Sequence, residues 1–508
     1  MLWESLRNRS FPPPFTWLPF TTLDPKHYVD HHLLFHFFQM PFTWFGDLRL
    51  GAKISATIFA SVAVFLCYSL LVRYRIRYSL IWLLALLACS APFLYRLNMA
   101  KAPPFAIIYL IIAVHLLFSQ KYWPLLPLSF IFALTYDMFV LLILAAFIWT
   151  AVIGWTERRL EWRPIVWVLL GTTAGLIINP YFPTNLHLFY EHLKTKLTVS
   201  DFSTNVGKEW YPYDSWEFLG NSVVACVAML VGYLAFDPSD RRRAHHSLFF
   251  LIFSTALMIM TARWRRIAEY WPPFAVIFSA FSLQHWLLGA RSMFTRLSPD
   301  ILDELQPFLD RPQAAQEEDD LHALWQTIAI AAVAVSLGVI LFLNLRATIK
   351  DISESKPHNY YQAGSEWMRA NLTPGQLIFN TDWDDFPRLF YFDPAHSYIS
   401  GLDPTYLYDK DPELSKLYEQ ITLGEEEDPG PLIRDRFGAR YVFTDNSHGD
   451  FFDNARASGW FEIVYEDHDC TVFHIRDQRA EPEPAEPGTD ENGNDEPQSD
   501  NIQQIPEP

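Results

Sequence analysis

The sequence predicts a polytopic α-helical membrane protein with about ten spans and a C-terminal extracytoplasmic α/β domain. Three observations support this class. Half of the 508 residues are hydrophobic and 16% are aromatic, a composition too apolar for a soluble enzyme. Apolar runs of roughly 20 residues, enough to cross about 30 Å of hydrocarbon as a helix, recur through the first two-thirds of the chain. The last third alternates helical and strand patterns instead.

The spans are predicted at 51–72, 79–95, 104–120, 122–134, 137–154, 164–180, 218–236, 246–262, 271–289 and 326–345. Their orientation follows from the short loops, because Lys and Arg near span ends stay in the cytoplasm. The basic loops that fall on this side are 73–78, 119–123, 157–163, 237–246 and 290–296. Keeping them together requires residues 122–154 to form a hairpin that turns at Tyr136 and Asp137, rather than one tilted span.

This topology divides the chain into six regions. They are a first outer loop with an interfacial helix (1–50), a transmembrane core (51–289), a cytoplasmic connector (290–325), a last span (326–345), a soluble α/β domain (346–479) and a disordered tail (480–508). The tail holds nine acids and no Lys or Arg, half of the net charge of −18. Nothing before residue 51 resembles a signal peptide or a span, so we expect one further helix to be missing ahead of the first loop.

Two outer loops carry basic residues where the charge rule disfavours them. Residues 95–104 contain Arg96 and Lys101, and residues 262–273 contain Arg263, Arg265 and Arg266. Phosphate is the natural ligand, since Arg offers a planar fork of donors and Lys a point charge. The alternative is a set of salt-bridged helix ends whose long side chains reach the membrane interface.

The second of these loops is predicted to continue as a helix. On that helix Arg263, Arg266 and Tyr270 would share one face, while Arg265 would pair with Glu269 on another.

The first outer loop contains two acids and four histidines between residues 24 and 38. His32 and His36 stand four apart, as a zinc site on a helix would need, but the HExxH signature of metalloproteases is absent. The segment 29–42 instead predicts a short amphipathic helix on the membrane surface. Asp30 would then face the basic loops, where a carboxylate acts as a general base or holds a divalent cation against a diphosphate. Simple interfacial polarity is the alternative.

Asp137 is the one acid within a 30-residue apolar stretch. Ionisable groups at that depth are costly, so the residue is a functional candidate. Capping of the second hairpin helix is the alternative.

The C-terminal region predicts strands at 376–381, 398–402, 439–445, 461–467 and 470–475, with helices between them. At least two helix-to-strand crossovers indicate a small α/β layer. No glycine-rich phosphate loop accompanies them, so nucleotide binding is not expected. The acids of "NTDWDDF" (380–386) are interpreted as a helix N-cap and an acidic first turn rather than as a cation site.

The order of these loops resembles a known superfamily. "TTLDPKHYVDHHLLFH", then "RLNMAKAPP", then "RWRRIAEYWPPFA", then a soluble domain is similar to the GT-C membrane glycosyltransferases. The resemblance is strongest to the branch with oligosaccharyltransferase catalytic subunits and bacterial relatives of the protein mannosyltransferases. It covers roughly residues 10–480 and is carried by loop patterns and topology rather than by one sharp motif.

The resemblance implies a polyprenyl-phosphate-linked sugar donor, catalytic acids in the first outer loop and outer basic residues that hold the lipid phosphate. With Asp137, which its depth marks independently, it gives the catalytic candidates Asp30, Asp137 and Glu269. It implies substrate binding by His31, His32, Arg96, Lys101, Arg263 and Arg266, to which Tyr270 is added because it would share a helical face with the two arginines. The superfamily's first acidic motif would lie upstream of Met1, and its WWDY-type acceptor motif has only a loose counterpart at 208–218.

The predicted function is therefore transfer of a sugar to a glycan, lipid or protein acceptor on the extracytoplasmic side. A divalent cation, Mg²⁺ or Mn²⁺, is the cofactor that this chemistry could use, and the partners are the donor, the acceptor and membrane lipids, without nucleic acid. The expected location is a bacterial inner membrane. The competing hypothesis is a non-catalytic scaffold or transporter component of envelope glycan assembly, which the absent first motif favours.

Overall fold

The computed structural model describes residues 2–198, 208–238, 244–292 and 313–480. The greater part of it is helical. Most of the predicted cytoplasmic connector and nearly all of the predicted acidic tail lie outside the described residues.

The helices of the first two-thirds are apolar on most sides, as expected where their surroundings are lipid or other apolar helices. In chain order they are α1 (Leu2–Arg7), α2 (Leu33–Gln39), α3 (Leu48–Arg73), α4 (Ser79–Ala88), α5 (Ala91–Leu97), α6 (Pro103–Phe118), α7 (Leu125–Thr135), α8 (Val140–Glu157), α9 (Arg163–Ile177), α10 (Thr184–Thr198), α11 (Ser215–Asn221), α12 (Val223–Ala235), α13 (His245–Arg263), α14 (Trp271–Ser292) and α15 (Gln313–Glu354).

Four segments of the described chain are long and apolar enough to cross a membrane: Leu48–Arg73, Asp137–Glu157, His245–Arg263 and Leu324–Glu354. Two bent helix pairs, α4 with α5 and α11 with α12, raise the number to six if each pair is one span. The predicted number of about ten is therefore not confirmed, although α6, α7 and α9 are shorter apolar helices at predicted positions.

Two predicted straight spans, 79–95 and 218–236, are bent by 86° each. The first bend is at Ser90, which is extended and whose side chain caps α5 by accepting a hydrogen bond from the Phe93 amide. The second bend is at Ser222, whose hydroxyl lies 3.2 Å from that of Ser90. The two bends therefore contact each other, and their hydroxyl groups satisfy one another in a buried position.

Helices α7 and α9 pack at unusually short range because α9 presents glycine to its neighbour. A Cβ atom on Gly171 would lie 2.1 Å from the Leu126 carbonyl oxygen and 2.1 Å from the Ser129 hydroxyl. Gly175, one turn later, would meet the Phe130 carbonyl oxygen at 2.8 Å. Small residues spaced four apart allow such close backbone approach between membrane helices.

The C-terminal region forms a five-stranded sheet of β1 (Leu377–Asn380), β2 (Ser397–Tyr398), β3 (Tyr441–Asp445), β4 (Phe461–Glu466) and β5 (Cys470–Ile475), in the order β2-β1-β3-β5-β4. Its helices are α16 (Gln362–Asn371), α17 (Phe386–Phe392), α18 (Thr405–Lys410), α19 (Pro412–Thr422), α20 (Pro429–Leu432) and α21 (Gly449–Ala457). Strand β1 pairs in parallel with β2 and with β3, whereas β5 pairs antiparallel with β3 and with β4. Four of the five strands lie within the predicted segments, whereas β2 is shorter than predicted and overlaps the predicted 398–402 only at Tyr398.

Apolar clusters cover both faces of this sheet. Residues of α16 and α17, such as Met368 and Leu389, share one cluster with the first outer loop. Residues of α19 and α21, such as Tyr418 and Phe451, belong to the cluster on the other side. The domain is thus a three-layer α/β/α arrangement.

The first outer loop is bound to the edge of the sheet. The Tyr398 amide of β2 donates to the Trp17 carbonyl oxygen at 2.7 Å, and the Trp17 indole donates to the Pro394 carbonyl oxygen at 2.8 Å. Asp24 forms an ion pair with Lys410 of α18. Burial of Asp24 opposes its ionisation, but the hydrogen bonds from Lys410 and His27 outweigh that effect and lower its pKa to about 2.

The interpretation of the acids at 380–386 as a helix cap is wrong. Asp385 occupies the N-cap position of α17 but makes no capping hydrogen bond, and the first turn contains no acid. Its side chain is 2% exposed and turns inward instead, where burial raises its pKa to about 7.

The tight contact between α7 and α9 yields a stability prediction. Gly171→Ala should lower the thermal midpoint of the purified protein in detergent, because an added methyl group overlaps backbone and costs about 1–3 kcal/mol. The matched control is Gly154→Ala in α8, where a Cβ atom meets nothing within 4 Å. Equal midpoints for the two variants would contradict the packing argument.

Candidate active site

The histidines of the first loop are held by Asp30. One oxygen of Asp30 accepts from the His32 amide at 3.0 Å, and the other lies 2.8 Å from Nδ1 of His36. Burial opposes protonation of His36, but the hydrogen bond to Asp30 outweighs it and raises the pKa of the imidazole. Because Asp30 is only 7% exposed and already engaged, it orients the start of α2, whose N-cap residue is His32.

Asp137 meets these histidines because the chain breaks where the sequence predicted a turn. Helix α7 ends at Thr135, Tyr136 is extended, and Asp137 begins a short 3-10 helix before α8. The Asp137 carboxylate lies 3.9 Å from Nε2 of His32, and the His31 and His32 rings are 4.1 Å apart. Ligand atoms of His31, His32 and Asp137 all lie within 4.8 Å of one another, which is compatible with one metal ion.

A network of ion pairs lies beside this cluster. One carboxylate oxygen of Glu209 accepts a hydrogen bond from Arg96 at 2.6 Å, and the other accepts one from Arg266 at 2.9 Å. Arg96 also pairs with Glu269, which is 3% exposed. Burial of Glu209 opposes ionisation, but Arg266 and Arg96 outweigh it and lower its pKa to about 2. Lys101 lies at the exposed edge of this network and interacts electrostatically with Glu209, so three basic groups face two acids.

Residues 262–273, the second basic loop of the sequence analysis and here called the late outer loop, do not form the continuous helix that the sequence predicted. Helix α13 ends at Arg263, Trp264 is extended, and a 3-10 helix covers Arg265–Glu269. Arg265 consequently pairs with Glu217, at 3.1 Å, and not with Glu269. A buried carboxylate such as that of Glu269 needs a cationic partner, and Arg96 at the end of α5 is that partner. This long-range contact outweighs the local preference for a continuous helix.

Two tyrosines link the network to the histidines. The Tyr136 hydroxyl accepts from Arg266 at 3.1 Å and lies 2.9 Å from the Tyr270 hydroxyl. The Tyr270 hydroxyl is also 2.9 Å from Glu269. The Tyr136 ring lies 5.1 Å from that of His32, so the carboxylate, guanidinium and imidazole groups form one connected cluster.

A pocket that is partly open to solvent joins these groups to an apolar surface. Its polar residues include His31, Asp137 and Arg266. Its apolar side is formed by Ala133, Met138, Phe139, Val140, Leu176, Leu188 and Phe189. Tyr406 of α18 contributes to the same pocket, so the C-terminal domain supplies part of its wall.

The structure brings most of the predicted site residues together. His31, His32, Asp137 and Arg266 meet at the pocket, with Arg96, Glu269, Tyr270 and Lys101 in the adjoining network. The Asp30 carboxylate contacts Nδ1 of His36 at 2.8 Å. Arg263 lies at the end of α13 with its guanidinium 5.9 Å from the Trp264 ring.

Sequence analysis missed Glu209, Tyr136 and Tyr406. Glu209 belongs to the loosely acceptor-like segment 208–218, which also contains Asp214 and Glu217, so its composition does not single out Glu209. Tyr136 stands beside Asp137 at the predicted turn. Nothing in the local sequence of α18 marks Tyr406.

Glu209 yields a pH-dependent prediction. Glu209→Gln should lower the thermal midpoint at pH 7, since it removes the carboxylate shared by two partly buried guanidinium groups, worth about 1–3 kcal/mol. A carboxyl whose folded pKa is lowered from 4.5 to about 2 stabilises the fold above pH 4.5, and this contribution is lost as the pH falls toward 2. The deficit of the variant should therefore shrink below pH 4.5. Glu217→Gln, which affects a more exposed pair, is the control and should change little.

Comparisons with known proteins give structural relatives only. No sequence family matches the chain, and no curated protein is similar in sequence. The oligosaccharyltransferase of Archaeoglobus fulgidus, in its apo form, matches with a TM-score of 0.56 at 13% identity, over 93% of this chain and 69% of that one. ArnT of Cupriavidus metallidurans matches in the apo state with a TM-score of 0.53 at 13% identity, over 90% of both chains. The same ArnT bound to undecaprenyl phosphate matches with a TM-score of 0.50, again at 13% identity and over 90% of both chains.

Both relatives are GT-C glycosyltransferases, and each match covers at least 90% of this chain. The predicted superfamily fold is confirmed. The chain is an integral membrane protein with the GT-C glycosyltransferase fold.

Proposed function

We propose that the protein transfers a sugar from a polyprenyl-phosphate-linked donor to an acceptor on the extracytoplasmic side of the membrane. The observation that carries this proposal is the pocket in which Asp137, His31 and Arg266 meet an apolar wall. An amphiphilic donor needs both surfaces at one place, with its phosphate at the polar end and its lipid at the apolar end. The ArnT complex with undecaprenyl phosphate supports this donor class.

The phosphate would be held by Arg266 and Lys101. Arg266 is a pocket residue whose charge is partly balanced by Glu209, whereas Lys101 is exposed at the edge of the same network. The surplus of one basic group over the two acids leaves the network positive toward an incoming anion. Glu269 and Glu209 hold the guanidinium groups in place, so we assign Glu269 a positioning role.

His31, His32 and Asp137 fit a divalent cation in their residue types and their spacing. Mixed imidazole and carboxylate donors favour Mn²⁺ over Mg²⁺. Such an ion would supply positive charge that polarises the donor phosphate.

In the reaction, an acceptor hydroxyl or amide attacks the anomeric carbon of the donor sugar as the bond from that carbon to the phosphate oxygen breaks. Asp137 would offer one carboxylate oxygen to the cation, and its other oxygen takes the acceptor proton as general base. The phosphate leaves with the bonding electrons, and Arg266 and Lys101 stabilise the negative charge that it gains. Asp30 keeps His32 and His36 oriented throughout.

Removal of the base gives the main test. Asp137→Asn should lower kcat at least about 100-fold with a panel of labelled polyprenyl-phosphate sugars, because general base catalysis typically contributes 10²–10⁴-fold. Asp47→Asn is the control, since Asp47 caps α3 at an exposed site and Asn caps equally well. Retained activity in Asp137→Asn would exclude it as the base. A wild-type protein that uses no donor would instead favour the scaffold or transporter hypothesis.

The cation is tested separately from catalysis. Mn²⁺ should bind the chelator-treated protein with one-site stoichiometry, seen as loss of the free Mn²⁺ signal in electron paramagnetic resonance. His32→Ala should weaken that binding at least about tenfold. His468→Ala, at a fully exposed position, should not. If the affinity is unchanged in His32→Ala, the three residues do not form a metal site.

A further inference from the structure

A second candidate site lies at the carboxyl edge of the sheet. Strands β1 and β3 are parallel neighbours, but β1 leads into α17 on one face and β3 leads into α21 on the other. In open α/β sheets, ligands bind in the crevice that opens where neighbouring strands diverge in this way. The crevice between β1 and β3 is therefore the expected ligand position of this domain, and it is separate from the pocket at Asp137.

The loops around the crevice are fixed by hydrogen bonds. The Thr381 hydroxyl donates to that of Thr444 at 2.9 Å and joins the ends of β1 and β3. The Asn380 amide group donates to the Ser400 carbonyl oxygen at 2.8 Å, which ties β1 to the loop after β2. The Tyr418 hydroxyl of α19 donates to the Asn380 carbonyl oxygen at 2.8 Å. These contacts hold the crevice open without a ligand.

The crevice continues as a groove along α19. Its inner part is bordered by Thr381, Asp382, Trp383, Ser400, Tyr418 and His448. Its outer part is bordered by Tyr408, Lys416, Gln420 and Glu425, and both parts share Ser415, Glu419 and Leu423. We call this whole surface the α19 groove. Its two adjoining depressions, which share Ser415, Glu419 and Leu423, give it room for more than one sugar unit.

The side chains of the α19 groove indicate which class of ligand would bind there. Trp383 offers a partly exposed ring surface, and Asp382 and Glu419 offer partly exposed carboxylates, whereas Thr381, Ser400 and Tyr418 border the groove but are nearly buried. Sugar rings present apolar C–H faces to aromatic rings and hydroxyl groups to carboxylates, so each of the partly exposed groups has a partner on a carbohydrate. Ions or peptides would leave part of this set unused.

Acids outnumber bases at the α19 groove: Asp382, Glu419 and Glu425 border it, against Lys416 and His448. Asp445 accepts from Ser447 and from His448 at 2.8 Å, which raises the pKa of His448 and keeps a donor at the groove. Asp382 lies near further acids, and burial together with Asp384 raises its pKa. An incoming phosphate or carboxylate would meet this excess of acids, whereas a neutral sugar would not.

Helix α18 places the α19 groove next to the pocket at Asp137. Three consecutive residues of α18 each border a different part of this surface. Tyr406 borders the pocket, Leu407 borders the inner part of the groove, and Tyr408 borders its outer part. A chain lying in the groove would thus end one short helix away from Asp137.

We propose that the α19 groove binds a neutral oligosaccharide, the acceptor of the transfer reaction. This assignment of the acceptor rests on the proposed function, but binding of the sugar chain by the groove does not.

The test measures binding without any donor. Neutral oligosaccharides of two to six units are titrated into the full-length protein in nanodiscs by calorimetry, and affinity should rise with chain length. Trp383→Ala and Glu419→Gln should each weaken binding at least tenfold. Trp123→Ala, at a 69% exposed tryptophan away from the groove, and Asp435→Asn, at an exposed acid, should leave it unchanged.

Three results would overturn the proposal: no binding at millimolar sugar, equal binding in Trp383→Ala and Glu419→Gln, or equal affinity for sulfated oligosaccharides of the same length. Thermal midpoints of the variants show that each one folds. Oligosaccharide binding without transfer from any polyprenyl-phosphate donor would support the groove and count against the proposed function instead.

Discussion

The outer side of the site depends on one carboxylate that two guanidinium groups share. Glu209 reaches Arg96 at the end of α5 and Arg266 in the late outer loop, so three distant parts of the chain meet at one side chain. Each charge alone would be costly at this depth of burial, and only their combination is favourable. The same constraint explains why Trp264 leaves the helical conformation. It turns Arg266 toward Glu209 and the pocket.

The site contains nearly buried carboxylates and others that reach the pocket. Asp30 and Glu269 are both nearly buried, and each is satisfied by a basic neighbour. Asp137 and His31 remain half-exposed beside the apolar wall of the pocket. Fully partnered carboxylates are suited to fix geometry, whereas a carboxylate in contact with a pocket can accept a proton.

The sequence predicted those features of the structure that depend on local residue patterns. Apolar runs placed the helices, period-two segments placed four of the five strands, and an isolated acid at an expected turn placed Asp137. Prediction failed where distant contacts decide. The right-angle bend at Ser90 depends on a partner at Ser222, more than a hundred residues later. Tyr406 reaches the pocket only because Asp24 and Thr22 anchor α18 to the first loop. The acids at 380–386 resembled a helix cap, yet Asp385 turns inward, where its side chain is hydrogen-bonded with Tyr361.

The attachment of Trp17 to strand β2 has a consequence for solubility. Strand β2 is at the margin of the sheet, where unpaired amide and carbonyl groups would invite pairing with another molecule. The backbone of the first loop satisfies Tyr398 there, and the Trp17 ring packs edge-on against Phe390 at 4.9 Å. The membrane-proximal segment thereby acts as a cover that keeps the soluble domain from associating with its own copies while many of them crowd one bilayer surface.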